Sequence, residues 1–198
     1  MTTVRCLEQA QLDPAVAREL ARLSLQTWPG GELADRLKRF LTPSANPPDL
    51  PAPHGRVFHV IEQGDRVLAA GYSFGRRIAT PSGPMTVLAM GGVCCEPASR
   101  GRGLGKAIVL SAFGRVDDGT FPLALYQTTP AVRAFYEKLG ARQIDNLVIN
   151  SLDIKSAGPQ PPSAPQQPKR AFWDPIVMIY PAAAPWPQGT VDLLGPGY

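Results

Sequence analysis

One stretch limits what this chain can fold into more than any other. Residues 85–106 read Met-Thr-Val-Leu-Ala-Met-Gly-Gly-Val-Cys-Cys-Glu-Pro-Ala-Ser-Arg-Gly-Arg-Gly-Leu-Gly-Lys. Its first half is apolar and rich in small or β-branched residues, the pattern of a strand buried on both faces. Glu96-Pro97 stops that strand, because proline cannot donate to a ladder and biases its predecessor away from helix. Arg100, Gly101, Arg102, Gly103, Leu104, Gly105 and Lys106 then form a glycine-rich turn that opens onto a helix. A strand, a glycine turn and a helix N-terminus together make a cradle for a pyrophosphate. The first-turn amides lack intrahelical partners, the helix dipole favours negative charge, and glycine permits close approach. Arg100, Arg102 and Lys106 add positive charge.

The ligand class follows from spacing. A Walker loop needs Ser or Thr after its lysine, and Lys106 is followed by Ala107. The dinucleotide pattern G-x-G-x-x-G does not fit these glycines and would open a larger alternating domain. Arg100-x-x-Gly103-x-Gly105 instead resembles the R/Q-x-x-G-x-G/A motif of the GNAT acetyltransferases, which bind coenzyme A. That resemblance implies acetyl-CoA as cosubstrate, held by the turn and by backbone groups of Val93 and Cys95, with Val93 or Cys94 presenting an amide to the thioester carbonyl.

Composition sets wider bounds. At 198 residues, 44% hydrophobic and 18% charged, the chain suits one well-cored globular domain. The net charge of +4 comes without a lysine/arginine run or aromatic-basic interleaving, so an anionic cofactor accounts for it without nucleic acid. Three cysteines and two histidines make neither a disulfide framework nor metal spacing. With no signal-peptide pattern and no apolar run long enough for a bilayer, the expectation is a reduced, cytoplasmic protein without membrane or metal; a homodimer is left open.

The elements are expected in this order. Residues 4–7 form a short strand, and Asp13-Pro14 caps a helix whose Val16, Leu20 and Leu23 face inward. Residues 32–41 form a second helix with Leu33, Leu37 and Phe40 inward. Prolines 47, 48, 51 and 53 make an extended connection. Strands at 56–63 and 66–73 join at Gly64-Asp65. The central strand, the helix at 103–116 and a parallel strand at 123–127 follow. Thr129-Pro130 then caps a helix with Val132, Phe135, Tyr136 and Leu139 on one face, ended by Gly140. Strands at 143–150 and 176–180 close the order, separated by a proline-rich loop at about 156–170. The tail from 182 to 198 carries Trp186, Val191, Leu193 and Leu194 as anchors, which predicts an ordered segment.

This order is also that of the GNAT fold, so the resemblance extends from Val4 to Tyr180. It implies an α/β (α+β) single domain over 1–198, a central mixed, twisted sheet of six or seven strands flanked by about four helices. Acetyl transfer to an amine needs a donor for the oxyanion, a deprotonated amine and a proton for the leaving thiolate. Thr129-x-x-Val132-x-x-x-Tyr136-x-x-x-Gly140 resembles the family's N-x-x-A-x-x-x-Y-x-x-x-G, which makes Tyr136 the acid toward the coenzyme sulfur. The plainer reading places Tyr136 in the core. For Cys95, a small buried hydrophobe is the plainer reading than an acyl-carrying nucleophile. His59 reads better as a satisfied structural histidine than as a base.

The C-terminal region, from Trp173-Asp174-Pro175 onward, is similar to the end of the aminoglycoside 2′-N-acetyltransferases. That similarity implies that Asp174 and the Tyr198 carboxylate meet a cationic substrate, with Glu32 and Asp35 as further substrate carboxylates. Where that family carries a glutamate on the central strand, this chain has Gly91. Three functions stay open: an N-acetyltransferase for a small, cationic amine, an acyl-CoA-binding sensor module, and an acetyltransferase for protein N-termini or lysines.

Overall fold

The computed structural model describes residues 3–43, 49–152 and 170–198. The prolines at 47 and 48 and the proline-rich loop up to residue 169 lie outside them. The chain divides into two compact units, Met1–Gly75 with Met90–Thr120, and Arg76–Ala89 with Phe121–Tyr198. Among the described residues nine strands form a mixed sheet, accompanied by four α-helices, and strands β3 (Arg66–Thr80) and β4 (Gly83–Cys95) contribute residues to both units.

In the first unit, β1 (Arg5–Glu8), β2 (Val57–Gln63), β3 and β4 are neighbours in that order. Gly64 takes φ 57° at the β2–β3 turn, so the Gly64-Asp65 hairpin forms as expected. Helix α1 (Pro14–Thr27) starts as the sequence predicts: the Asp13 carboxylate accepts the Ala15 amide at 2.7 Å, and Pro14 occupies the first turn. Leu20 and Leu23 are buried, packing with Phe58, Val60, Val67, Ala70 and Cys94. Helix α2 (Leu33–Leu41) rests Leu37 and Phe40 on the same cluster but buries no residue fully. Leu33, the first residue of the helix, stays 41% exposed, against expectation. Helix α3 (Leu104–Asp117) packs Leu104 and Ile108 with Ile61, Leu68 and Ala69. Alternation along β4 separates the two clusters, Cys94 joining α1 and α2 while Val93 and Cys95 join α3.

In the second unit, β4 pairs in parallel with β5 (Ala124–Thr128) at Leu88↔Ala124 and Ala89↔Leu125, as a crossover connection requires. All five residues of β5 pair antiparallel with β8 (Ile176–Tyr180), which in turn pairs with β6 (Arg142–Ile144). Helix α4 (Pro130–Glu137) ends before Gly140, which takes φ 88°. Two expectations change here. The strand expected over 143–150 is two pieces, β6 and β7 (Val148–Ile149), and the chain's last strand is β9 (Val191–Asp192) rather than β8. Asn146 explains the break: its side-chain amide donates to Pro187 O and Gly189 O and its oxygen accepts from Trp186 Nε1. Those bonds hold residues 145–147 to the tail instead of to a ladder. β9 pairs with β7 and with Ala79 of β3. No described helix is long and apolar enough to cross a membrane.

Candidate active site

The glycine turn has the geometry its spacing implies. After β4, residues 97–99 make one short helical turn, Arg100 is extended, and both Gly101 and Gly103 take φ 78°. A Cβ at either glycine would meet nothing within 4 Å, so their outer face is open. Gly103 is the N-cap of α3, and the amides of the first helical turn have no intrahelical acceptor. The backbone of Gly105 hydrogen-bonds the Cys95 thiol. Arg100, Arg102 and Lys106 are exposed and make no ion pair among the described residues. A helix N-terminus, an open glycine surface and three exposed cations fit a pyrophosphate.

Val93 is half-buried, its side chain against Gly71, where an added Cβ would approach Val93 Cγ2 at 3.2 Å. Cys95 is half-buried too, and burial raises its thiol pKa despite Arg100 and Gly105. A protonated thiol is a poor nucleophile, and the Cys95 side chain packs against the cluster of Leu104 and Ile108. Gly91 and Gly92 precede Val93, and the Tyr72 ring lies against both. Glu32 caps α2 through its backbone, and Asp35 sits in the first turn; both are exposed. His59 is 1% exposed, with Nδ1 2.9 Å from Ser111 Oγ and Nε2 2.8 Å from Ser73 Oγ. Burial first, then Arg115, lowers its pKa to about 4, so it is a neutral structural histidine.

In the second unit, Tyr136 is the one buried residue of α4. Its ring lies 4.9 Å from that of Tyr126 and 5.0 Å from Phe135, and burial pushes its pKa up to about 12. The hydroxyl has no hydrogen-bond partner among the described residues. Its expected companion Val132 is 39% exposed, so the shared helix face is covered at Tyr136 and open at Val132. Thr129 caps α4 with its backbone, and its side chain makes no cap bond.

Asp174 and Tyr198 are brought together through a residue that sequence reasoning missed. Gln127, on β5, accepts the Asp174 amide at 2.9 Å and donates to the Tyr198 main-chain oxygen at 2.9 Å. The Tyr198 hydroxyl donates to Leu125 O at 2.7 Å, and its ring meets Phe172 edge-on at 5.3 Å. Arg76, 5% exposed, donates to Leu193 O and Pro196 O. Asp174 lines a cavity of about 250 Å³ with Asp145, Arg170 and Phe172. A polar residue on an otherwise buried strand was the signal available for Gln127.

Comparison with known proteins bears on this geometry. Residues 49–144 match the model of the acetyltransferase (GNAT) domain. Among solved structures, an acyl-CoA N-acyltransferase from Pseudomonas aeruginosa is 14% identical, with a TM-score of 0.57 over 90% of this chain and 99% of that one. Glucosamine-6-phosphate N-acetyltransferase from Arabidopsis thaliana is 17% identical, with a TM-score of 0.56 over 72% and 94%. A GCN5-related N-acetyltransferase from Kribbella flavida is 19% identical, with a TM-score of 0.54 over 72% of this chain, which spans 33% of that protein. The search of curated proteins returns no match. The fold is that of these acetyltransferase structures, and the acetyltransferase (GNAT) domain match lies within it, over residues 49–144.

Proposed function

We propose that this chain is an acetyl-CoA-dependent N-acetyltransferase that acts directly on a primary amine of a small, cationic, aminoglycoside-like acceptor. The observation that carries the reading is the open α3 N-terminus, with Gly101 and Gly103 at φ 78° and three exposed cations beside it. Residues 1–198 read as one acetyltransferase domain, because the matched span 49–144 draws on both units. A cytoplasmic location fits the sequence; a homodimer is compatible with it.

The residue roles follow from the chemistry. The backbone of residues 100–106 and the Arg100, Arg102 and Lys106 side chains hold the coenzyme phosphates. Val93 and Cys95 bond the pantetheine arm, and the Val93 amide stabilises the carbonyl oxygen as charge develops. The amine nitrogen forms a bond to the acetyl carbon as the carbon–sulfur bond breaks. The departing thiolate takes the Tyr136 phenolic proton, and the proton released by nitrogen restores Tyr136 through solvent. Asp174 and the Tyr198 main-chain oxygen attract the acceptor's positive charge, assisted by Glu32 and Asp35. A thiol-release assay with acetyl-CoA and a panel of amines tests this. Amide product supports it, whereas coenzyme binding without turnover on any amine identifies an acyl-CoA sensor instead.

A further inference from the structure

We propose that the Tyr72 hydroxyl is the hydrogen-bond partner of the acceptor amine, a role that rests on the acetyl-transfer reading above. Tyr72 lies on β3 and is half-buried. Its ring is held from several sides: Phe58 meets it edge-on at 6.3 Å, Phe74 stacks at 6.2 Å, and the Arg56 guanidinium lies 5.2 Å from its centroid. Asp49 fixes Arg56 at 3.1 Å. A ring so confined gives its hydroxyl one place.

That place is the backbone of β4. A Cβ on Gly91 would stand 2.8 Å from Tyr72 Oη and 3.0 Å from Cζ. A Cβ on Gly92 would stand 2.6 Å from Cε1, and Gly92 also takes φ 63°. Two adjacent glycines inside a strand weaken it relative to alanine. Here they make room for a phenol to lie flat against the strand, with its oxygen where a side chain of residue 91 would begin.

The oxygen has no hydrogen-bond partner among the described residues, so a ligand can use both its donor and its acceptor capacity. Burial, foremost, raises its pKa, which keeps the phenol neutral: it accepts an N–H and does not act as a base. The charged and titratable groups acting on the ring are Arg56, Arg39 and Cys94, with Asp49 paired to Arg56. The two cations disfavour an ammonium at Oη and favour a neutral nitrogen, the form with a lone pair for attack. Position agrees. Tyr72 shares its cluster with Leu37 and Phe40 of α2, the helix that carries Asp35, while the Val93 and Cys95 side chains take the opposite face of β4. An amine held at Oη therefore lies on the α2 side of the strand whose next residue is Val93.

The test uses the full chain with ring-ζ-¹³C tyrosine, the Tyr72 resonance being assigned with Tyr72→Phe. Kanamycin, spermidine and propylamine are titrated with and without coenzyme A. At least one should move the Tyr72 resonance saturably. Tyr72→Phe should lower kcat/KM for that amine about threefold to tenfold, the loss of one neutral hydrogen bond, with the KM for acetyl-CoA unchanged. Gly91→Ala, which displaces Oη, should cause a similar loss, and adding Tyr72→Phe to it should cost little more. The proposal is overturned if none of the three amines moves Tyr72, if Tyr72→Phe turns over at the native rate, or if that variant loses coenzyme affinity along with turnover. Failure of the acetyl-transfer reading appears separately, as absent acetyl-CoA binding by calorimetry, because the amine titration is also read without coenzyme.

Discussion

Gln127 donates from Nε2 to the main-chain oxygen of Tyr198 at 2.9 Å, although 71 residues separate them in the chain. The same side chain accepts the Asp174 amide through Oε1, so the orientation of its amide is determined by two partners of opposite character. Gln127→Met keeps the length and removes both bonds, leaving a partly buried Asp174 N–H unpaired. A loss of about 1–3 kcal/mol follows. Urea denaturation should show it with an unchanged m-value, and hydrogen exchange of the tail amides should accelerate.

Arg76 makes a second clamp, giving its guanidinium to Leu193 O and Pro196 O from a buried position. Arg76→Met should free residues 193–198 and lower amine turnover while coenzyme binding, which the account assigns to α3, is kept. Calorimetry with coenzyme A and a rate assay on the same preparation check both halves. Equal loss in the two would place Arg76 in global stability alone.

His59 predicts a pH dependence of stability. Its folded pKa of about 4 lies below the ordinary 6.5, so between these values the unfolded state binds more protons. Stability is therefore full above about pH 6.5 and falls as pH drops toward 4, by about 3 kcal/mol from this group. His59→Gln should be less stable at pH 7 and show a flatter profile between pH 4 and 6.5. A wild-type profile no steeper than the variant's in that window would contradict the assignment.

How much of this was readable beforehand depended on how local the cause was. Asp13-Pro14, Gly64-Asp65 and Gly140 act through their own backbone torsions and nearest amides, and each stands where its spacing indicates. The glycine turn before α3 was legible for the same reason. Leu33 and Val132 show the limit of periodicity, which groups residues on a face without saying whether anything packs there. Asn146 broke an expected strand through bonds to residues about forty positions away, and Gln127 and Tyr72 act at similar or spatial distances. Apolar pattern holds no trace of such partners.

Tyr136 separates the two readings made of it. Burial holds its phenol neutral to about pH 12, so it can donate a proton across the whole working range. Tyr136→Phe should cut turnover roughly 10²- to 10⁴-fold with coenzyme affinity and melting temperature little changed. Lost stability with a native rate per folded molecule would make it a packing residue only.

The central claim is that the α3 N-terminus binds the coenzyme pyrophosphate, and calorimetric titration of acetyl-CoA into wild type, Arg100→Ala and Gly103→Asp tests it most directly. Gly103→Asp adds negative charge at open space and strains a residue at φ 78°, and Arg100→Ala removes an unpaired cation. Saturable wild-type binding, weakened strongly in both variants while their circular dichroism stays native, is the predicted result. Absent wild-type binding, or equal affinity in all three proteins, would contradict the account.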